Sequence, residues 1–404
     1  AFGDYHVPPK SELYIHNPMK KSIMGALTEI NNKKNRILPV QPIAGDIIIL
    51  DYTEPTDVIF NGKLLISKVV HDYKNILKKI TKDGQFEESG ECEVDINCTE
   101  GNDWQNEKQS VCRILRLMYY HSGALINNID NDGTPYVLAS QHSFQNEIQA
   151  NYSVFVFNYE SPSCDGSDGS TSQSISSSTL VASWECDYWT NVGTDFALVE
   201  LSSEPPASYF PYYSGWYRNN SYPSGGTCIH HPMGDVKKIS VEEDQLASTY
   251  YRQNINFLST DHWMVIDWDV GATEHGSSGA PLYNEDHRII GQLHGGYAAC
   301  DGSDDNGEPD WFGKISKSWN GDGEDTTRLK DWLDPDGTDT NEIPGLRFYH
   351  NGTIDATFPL NGDIVKLKNI DIDSGSDITI TFNNKFETEG TFTVPEGATI
   401  EISP

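Results

Sequence analysis

Three short stretches of this chain hold side chains that together could carry acyl-transfer chemistry. In Gly276-Ser277-Ser278-Gly279-Ala280-Pro281 a serine stands on a turn of small residues between glycines. Acyl transfer needs an exposed hydroxyl to attack, and backbone N–H groups that converge on the oxygen of a tetrahedral intermediate. Glycine at 276 and 279 lets the backbone approach a substrate carbonyl with no side chain in the way. Alone, the hexapeptide describes a tight loop equally well. Its meaning depends on a base and an orienting acid elsewhere. His142 follows a turn and the apolar run Tyr136-Val137-Leu138-Ala139-Ser140, and Asp195 heads the alternating run Phe196-Ala197-Leu198-Val199-Glu200-Leu201. Taken singly, His142 is an ordinary histidine and Asp195 a strand-initiating turn residue. Together with Ser278 they supply a base, its orienting carboxylate and a nucleophile.

The elements that must position these groups are short strands. The order His142, Asp195, Ser278 is that of the chymotrypsin-like arrangement, not of subtilisin or the α/β-hydrolases. Between about 89 and 345 the chain shows many short strands and turns with little helical periodicity, the pattern of paired six-stranded antiparallel barrels. Asp325 to Pro335 reads as a closing helix with Asp325 as N-cap and Pro335 as stop. The tract SCDGSDGSTSQSISSST reads as an exposed loop. Residues 1–88 form a separate β-rich unit, with Asp72 to Ile80 a short basic amphipathic segment near its end. Residues 346–404 alternate polar and apolar positions between SGS, NN and PEG turns. They predict a small β-module, a spacer or surface-attachment segment without a catalytic constellation.

From Cys92 to Asp334 the chain resembles the lysyl endopeptidase family of secreted bacterial trypsin-like serine proteases. The resemblance is carried by NDWQNEKQSVCRIL, SGALINNIDNDGTPYVLASQH, NYESPSCDGSDGSTSQ, TDFALVELSSEPP, IHHPMGDVKKIS and GSSGAP followed by GQLHGG. It implies an all-β, chymotrypsin-like double barrel in residues 89–345. It also implies that His142 is the general base, Asp195 its orienting carboxylate, Ser278 the nucleophile, and the Gly276 and Ser278 N–H groups the oxyanion hole. Disulfides Cys92–Cys300 and Cys98–Cys164 are implied in the same way, and point to an oxidising compartment. Cys112, Cys186 and Cys228 remain, so at least one thiol is unpaired or forms an intermolecular link. His121 and Ser143 stand where the family usually has a disulfide clamping the histidine loop, which removes a bridge of that span worth up to a few kcal/mol. Residues 1–88 resemble the later part of the family's propeptide, which makes Lys82-Asp83 a candidate self-processing site.

Specificity follows from an absence. Trypsin-type enzymes place an aspartate six residues before the nucleophile, and that position is Ala272. The resemblance moves the acidic pocket residue to Asp310, in Asp310-Trp311-Phe312-Gly313, and has His294 line the site ahead of the substrate-pairing Gly295 and Gly296. A buried carboxylate suits a lysine ammonium. Asp310 also lies among Asp301, Asp304, Asp305 and Glu308, as a solvated loop acid would. Trp263 and Trp268 read as core packing rather than walls of the site. Ser277 replaces the aspartate that trypsin zymogens use to capture a new N-terminus, so the oxyanion hole should form in the uncleaved chain. Any inhibition by the N-terminal unit would then come from blocking the cleft.

The remaining signals set limits. Sixty acidic against 28 basic residues give a formal charge of −32, which disfavours nucleic acid and anionic lipid as partners and favours cationic ligands. No apolar run approaches a membrane span, and the first residues do not read as a signal peptide, so an export signal would lie outside this sequence. The chemistry needs no metal or organic cofactor. There is no His-Glu-x-x-His, His230-His231 is not ligand spacing, and Asp334 to Asp339 lacks the closing glutamate of a calcium loop and reads as a turn. Protein or peptide substrates, and a secreted or cell-surface setting, are the expectation. The rival is a protease-fold adhesin or structural protein that no longer cuts. Its support is the unclamped histidine loop, the retained N-terminal unit, and His275, which stands where the family usually has glycine.

Overall fold

A computed structural model of the protein describes residues 1–71, 89–117, 119–187, 189–190, 192–253 and 260–404. The expectations for Asp72 to Ile80 and for Lys82-Asp83 fall outside the described residues.

Strand alternation sends neighbouring side chains to opposite faces, and the strands that carry the site use both faces. In Tyr136–Ser140, Val137 and Ala139 enter a cluster with Phe155, Val199 and Leu201. Tyr136 and Leu138 enter another with Trp216, Ile229, Ile239 and Trp319. Phe196–Leu201 divides its residues between the same two clusters. The first cluster fills one barrel; the second lies between that barrel and the next.

The first barrel is antiparallel. Its strands run Ser174–Ser176, Ser153–Phe157, Val111–Arg116, Tyr119–Leu125, Tyr136–Ser140, Phe196–Leu201, Ser178–Trp184. The two end strands are one stretch of chain broken at Ser177, whose φ is 72°. The sheet therefore curls round and closes, and the bent stretch counts as its sixth strand. Closure removes the exposed edges that an open sheet would present. In the second barrel Lys238–Glu242, with the short strand Val94–Asp95 on its outer side, and the end strand Ala247–Thr249 are likewise separated only by residues 243–246. Between them lie Gly226–His230, Pro281–Tyr283, Ile289–Gly296, Asp310–Lys314 and His262–Val265. The protein is all-β with a chymotrypsin-like double barrel.

Two details differ from the expectations, and a third was left open by them. The end of the serine-rich tract is a strand, because pairing Ile175 opposite Phe155 buries that isoleucine in the barrel. The closing helix is one α-turn, Lys330–Leu333, after a 3₁₀ turn at Asp325–Thr327. Arg328 between them is extended, and Glu324 rather than Asp325 is the cap. Leu329 and Leu333 are nonetheless fully buried between the barrels. The C-terminal strands Leu346–Ile354, Asn361–Ile372, Asp377–Thr393 and Thr399–Ser403 form the expected β-module, and they pair in parallel. Leu346 lies beside Ile364, and Ile378 beside Ile400, so like residues stack from coil to coil.

Both flanking regions touch the two barrels. Strand Leu346–Ile354 pairs with Tyr212–Tyr213, and Leu346, Phe348 and Ile364 complete the first barrel's core. In the N-terminal region Phe2–His6 pairs with Lys63–Ile66, and Glu12–His16 lies between Ile23–Leu27 and Ile49–Thr53. It meets the outside of the first barrel at Asn35–Asn151, Gln41–Thr171 and Lys68 over the Tyr152 ring. Disulfides Cys92–Cys300 and Cys98–Cys164 are formed, while Cys112, Cys186 and Cys228 are free.

Candidate active site

Sheet register brings the acid to the base. Phe196 pairs with Ser140, so Asp195 arrives beside residues 141 and 142, each one step beyond its strand. The Asp195 carbonyl accepts from the Gln141 N–H at 2.7 Å. The buried Asp195 carboxylate then accepts twice from His142, at Oδ2 from the ring Nδ1 (2.7 Å) and at Oδ1 from the backbone N–H (3.0 Å). A carboxylate only accepts, so Nδ1 carries the proton and Nε2 keeps a free lone pair. His142 is half-buried.

Ser278 comes from the second barrel. Gly279, at φ 86°, presses so closely on the first barrel that a Cβ would lie 2.5 Å from Ser122 O and 2.7 Å from Ser140 N. The Ser122 N–H donates to the Ser278 carbonyl at 2.9 Å, and the Gly279 N–H to Leu293 O at 2.8 Å. This seats the serine turn against Ser140, two residues before His142 in the chain, with Ser278 half-buried. No hydrogen bond joins Ser278 Oγ to His142, a common state before substrate arrives.

The turn is held open by neutral groups. Ser277 is fully buried, and its Oγ bonds His230 Nδ1 at 2.7 Å and accepts from Glu274 N–H at 3.2 Å. Burial pushes the His230 imidazole down to about 3, so it is uncharged at neutral pH. Ser122 Oγ donates to Gly276 O and accepts from the His231 N–H, both at 2.9 Å. The His275 carbonyl accepts from the Met233 N–H. In a planar trans peptide the next N–H, that of Gly276, points the opposite way. Among the described residues, neither the Gly276 nor the Ser278 N–H donates to a protein acceptor. His275 itself is exposed.

Asp310 pairs with Gly296 across the sheet and is fully buried. Its Oδ2 accepts from Trp268 Nε1 (2.9 Å) and Thr273 Oγ1 (2.7 Å). Oδ1 is buried without a well-formed hydrogen bond, and a Cβ on Gly296 would come within 2.0 Å of it. Burial raises the carboxyl to about 6, against the pull of those donors. Asp310 is therefore not a solvated loop acid. Trp263 packs in the core as expected, but Trp268 also holds the carboxylate. Gly295 and Gly296 are half-buried at the end of Ile289–Gly296. His294 stacks on Tyr251 with ring centroids 3.5 Å apart, and its Nε2 lies 3.9 Å from Asp195 Oδ2.

Several supporting groups had no signal in the sequence. His121 and Ser143, which replace a bridge, are bonded to each other: His121 Nδ1 meets Ser143 Oγ at 2.8 Å, and that hydroxyl meets Ser140 Oγ at 2.5 Å. The histidine loop is clamped after all, by hydrogen bonds. Trp268, Thr273, Ser122, His230 and Tyr251 lie far along the chain from the residues they support, and no motif links them. A polar residue inside an otherwise apolar strand, as at Ser122, was the one available hint. The Asp334 carboxylate accepts from the Thr338 and Asp339 N–H groups.

Residues 86–313 match the family described as Lysyl endopeptidase, C-terminal domain. The lysyl endopeptidase of Pseudomonas aeruginosa is 24% identical over 289 residues, covering 68% of this chain and 60% of that protein. The chain thus spans less than two thirds of that relative's length. Among solved structures, a Glu endopeptidase in complex with MPD is 14% identical over 56% of this chain and 91% of its own, with a TM-score of 0.36. The Rv3671c protease in its inactive form, from M. tuberculosis, is 14% identical over 56% and 92%, with a TM-score of 0.35. With more than half of its residues inside the family match, the chain belongs to the lysyl endopeptidase family of serine proteases.

Proposed function

We propose that the protein is a secreted serine endopeptidase that cleaves peptide bonds on the carboxyl side of lysine. The observation that carries the proposal is the buried Asp195 carboxylate bonded to both the ring and the backbone of His142, beside the Ser278 turn. In this reading His142 Nε2 takes the Ser278 proton as the oxygen attacks the scissile carbonyl. It then passes the proton to the leaving amine. Asp195 holds the tautomer and stabilises the imidazolium. The Gly276 and Ser278 N–H groups receive the oxyanion, and water completes the cycle through the acyl-enzyme. Substrate backbone pairs along Gly295 and Gly296, past His294.

Lysine is favoured over arginine because Asp310 offers one oxygen only, the other being held by Trp268 and Thr273. An ammonium is a point charge that one oxygen satisfies, whereas a guanidinium fork matches two. The two disulfides support export to an oxidising compartment. Among the described residues no helix is long and apolar enough to cross a membrane. Residues 1–88 are read as a propeptide-like domain, 89–345 as the protease domain and 346–404 as an appended β-module.

A fluorophosphonate probe tests the nucleophile. Stoichiometric labelling by the full chain, lost in Ser278→Ala, is the expected result. A peptide library should then show cleavage after lysine. Absence of labelling after tryptic trimming of the N-terminal region would sink the proposal and return the adhesin reading.

A further inference from the structure

Beside Asp195, where the His294 ring stands 6.2 Å from that of His142, three potential metal ligands meet that the proteolytic chemistry does not require. Cys186, His262 and His294 each offer one ligand atom, and these atoms all lie within 4.8 Å of one another. His262 Nε2 and His294 Nδ1 are 3.0 Å apart. Tetrahedral coordination at zinc-type bond lengths would set the two nitrogens about 3.3 Å apart and each about 3.6 Å from the sulfur. Small side-chain movements suffice to close the set.

The three come from different elements, each fixed by the barrel. His262 opens strand His262–Val265 and is fully buried, and among the described residues its Nδ1 has no partner to hold the ring to one orientation. His294 lies in Ile289–Gly296 under the Tyr251 ring. Cys186 sits at the neck of the loop after Ser178–Trp184. There Asp187 N–H donates to Val192 O at 2.9 Å, and a Cβ on Gly193 would meet Glu185 O at 2.0 Å. The neck is too tight to wander.

Charge and chemistry agree on the occupant. Asp195, Asp261, Asp187 and Glu185 stand around Cys186, and carboxylates gathered about a thiol and two imidazoles favour a cation at their centre. Cys112 and Cys228 are also free, but each is buried in an apolar cluster. Among the described residues the other cluster of this kind, Cys98, Cys164 and Asp165, has its sulfurs locked in a disulfide.

We propose that Cys186, His262 and His294 bind a borderline-soft divalent cation of the Zn²⁺ type, with water in a fourth position, and that occupancy slows catalysis. Binding at His294 Nδ1 leaves the ring proton on Nε2, which faces Asp195 Oδ2 at 3.9 Å. A metal-bound imidazole commonly donates its other N–H to a carboxylate. Asp195 would then be shared between His294 and His142, beside a new positive charge. Both effects disfavour the His142 imidazolium that forms during attack. Binding releases the Cys186 proton to solvent and involves no redox change.

The inhibitory half rests on the protease reading; the binding half does not, and the test separates them. Co²⁺ titrated into the full chain reports a thiolate ligand by a near-ultraviolet charge-transfer band, whether or not the protein cleaves anything. The band should saturate at one equivalent and vanish in Cys186→Ser, and it should be weakened in His262→Gln. A chain this acidic binds cations loosely at many places, so a non-saturating signal, or one that survives Cys186→Ser, overturns the site. In turnover assays Zn²⁺ should lower kcat at least tenfold with little change in KM, reversibly by chelator. Cys186→Ser should keep the metal-free rate and lose the inhibition. Saturable binding with unchanged turnover would leave the site and overturn its regulatory role.

Discussion

At the scale of single residues, the informative group is Asp310, whose burial opposes its own ionisation. Its carboxyl stands at about 6 against an ordinary 3.8. With Asp310 in the proposed pocket role, the free enzyme's pocket would lose its charge as pH falls through about 6. The ratio of kcat/KM for a lysyl peptide to that for its norleucyl counterpart isolates this group, because the triad is common to both. The ratio should fall about tenfold per pH unit below 6. A ratio that stays flat from pH 5 to 8 would remove Asp310 from the pocket. Asp310→Asn should abolish the pH dependence and lower the lysyl preference about 100-fold or more, the usual result of leaving a buried charge unpaired. The sign for stability is opposite. A carboxyl raised in the folded state stabilises the fold below its unfolded pKa, and that contribution is lost as pH rises through about 6. The shift from 3.8 corresponds to about 3 kcal/mol at neutral pH. Asp310→Asn should therefore raise the melting temperature at pH 7–8 and have little effect below pH 4, as calorimetry can show.

Among the elements, the segments that carry the site were legible because strand alternation and turn residues are local signals. Tyr136–Ser140 and Phe196–Leu201 could be seen in the sequence, and the turns at their ends placed His142 and Asp195. What stayed hidden is what joins distant positions. Two absent cysteines read as a loop without a clamp, yet His121 and Ser143 keep the contact by hydrogen bonding. Burial holds that histidine down at about 3, so it remains neutral and the bond should persist through the physiological range. One such bond is worth about 1 kcal/mol, against about 3 kcal/mol for a bridge across this span. His121→Cys combined with Ser143→Cys should form a disulfide under oxidising conditions. The oxidised protein should melt several degrees above its reduced form with triad labelling retained. Free thiols in the oxidised double variant, read by mass spectrometry, would show that the two backbones do not stand as a bridge requires. The parallel C-terminal strands were invisible for a different reason. Alternation fixes which face a residue takes, and is the same for parallel and antiparallel neighbours.

For the whole molecule, the flanking regions are tied to the barrels unequally. The N-terminal region meets the outside of the first barrel through polar contacts at Asn151, Tyr152 and Thr171. Scattered part-buried polar contacts of this kind contribute about 1 kcal/mol each. The C-terminal strands are joined through the core. Arg347 is fully buried, and its guanidinium donates to Asn106 Oδ1 at 2.6 Å, Phe210 O at 3.0 Å, Asn361 O at 3.3 Å and Gln109 Oε1. On either side of it Leu346 and Phe348 fill the first barrel's own cluster. A spacer hung on the enzyme could be removed without consequence; a lid on the barrel could not. Arg347→Ala strands four acceptors and opens a cavity, and should destabilise the catalytic barrels by about 3–5 kcal/mol. Truncation after Gly345 strips Leu346, Phe348 and Ile364 from the core and should leave a chain that aggregates. Loss of residues 1–71 should shift thermal unfolding of the barrels far less. A truncated chain that stays monomeric, with an unchanged melting temperature and full Ser278 labelling, would make the C-terminal strands a dispensable appendage.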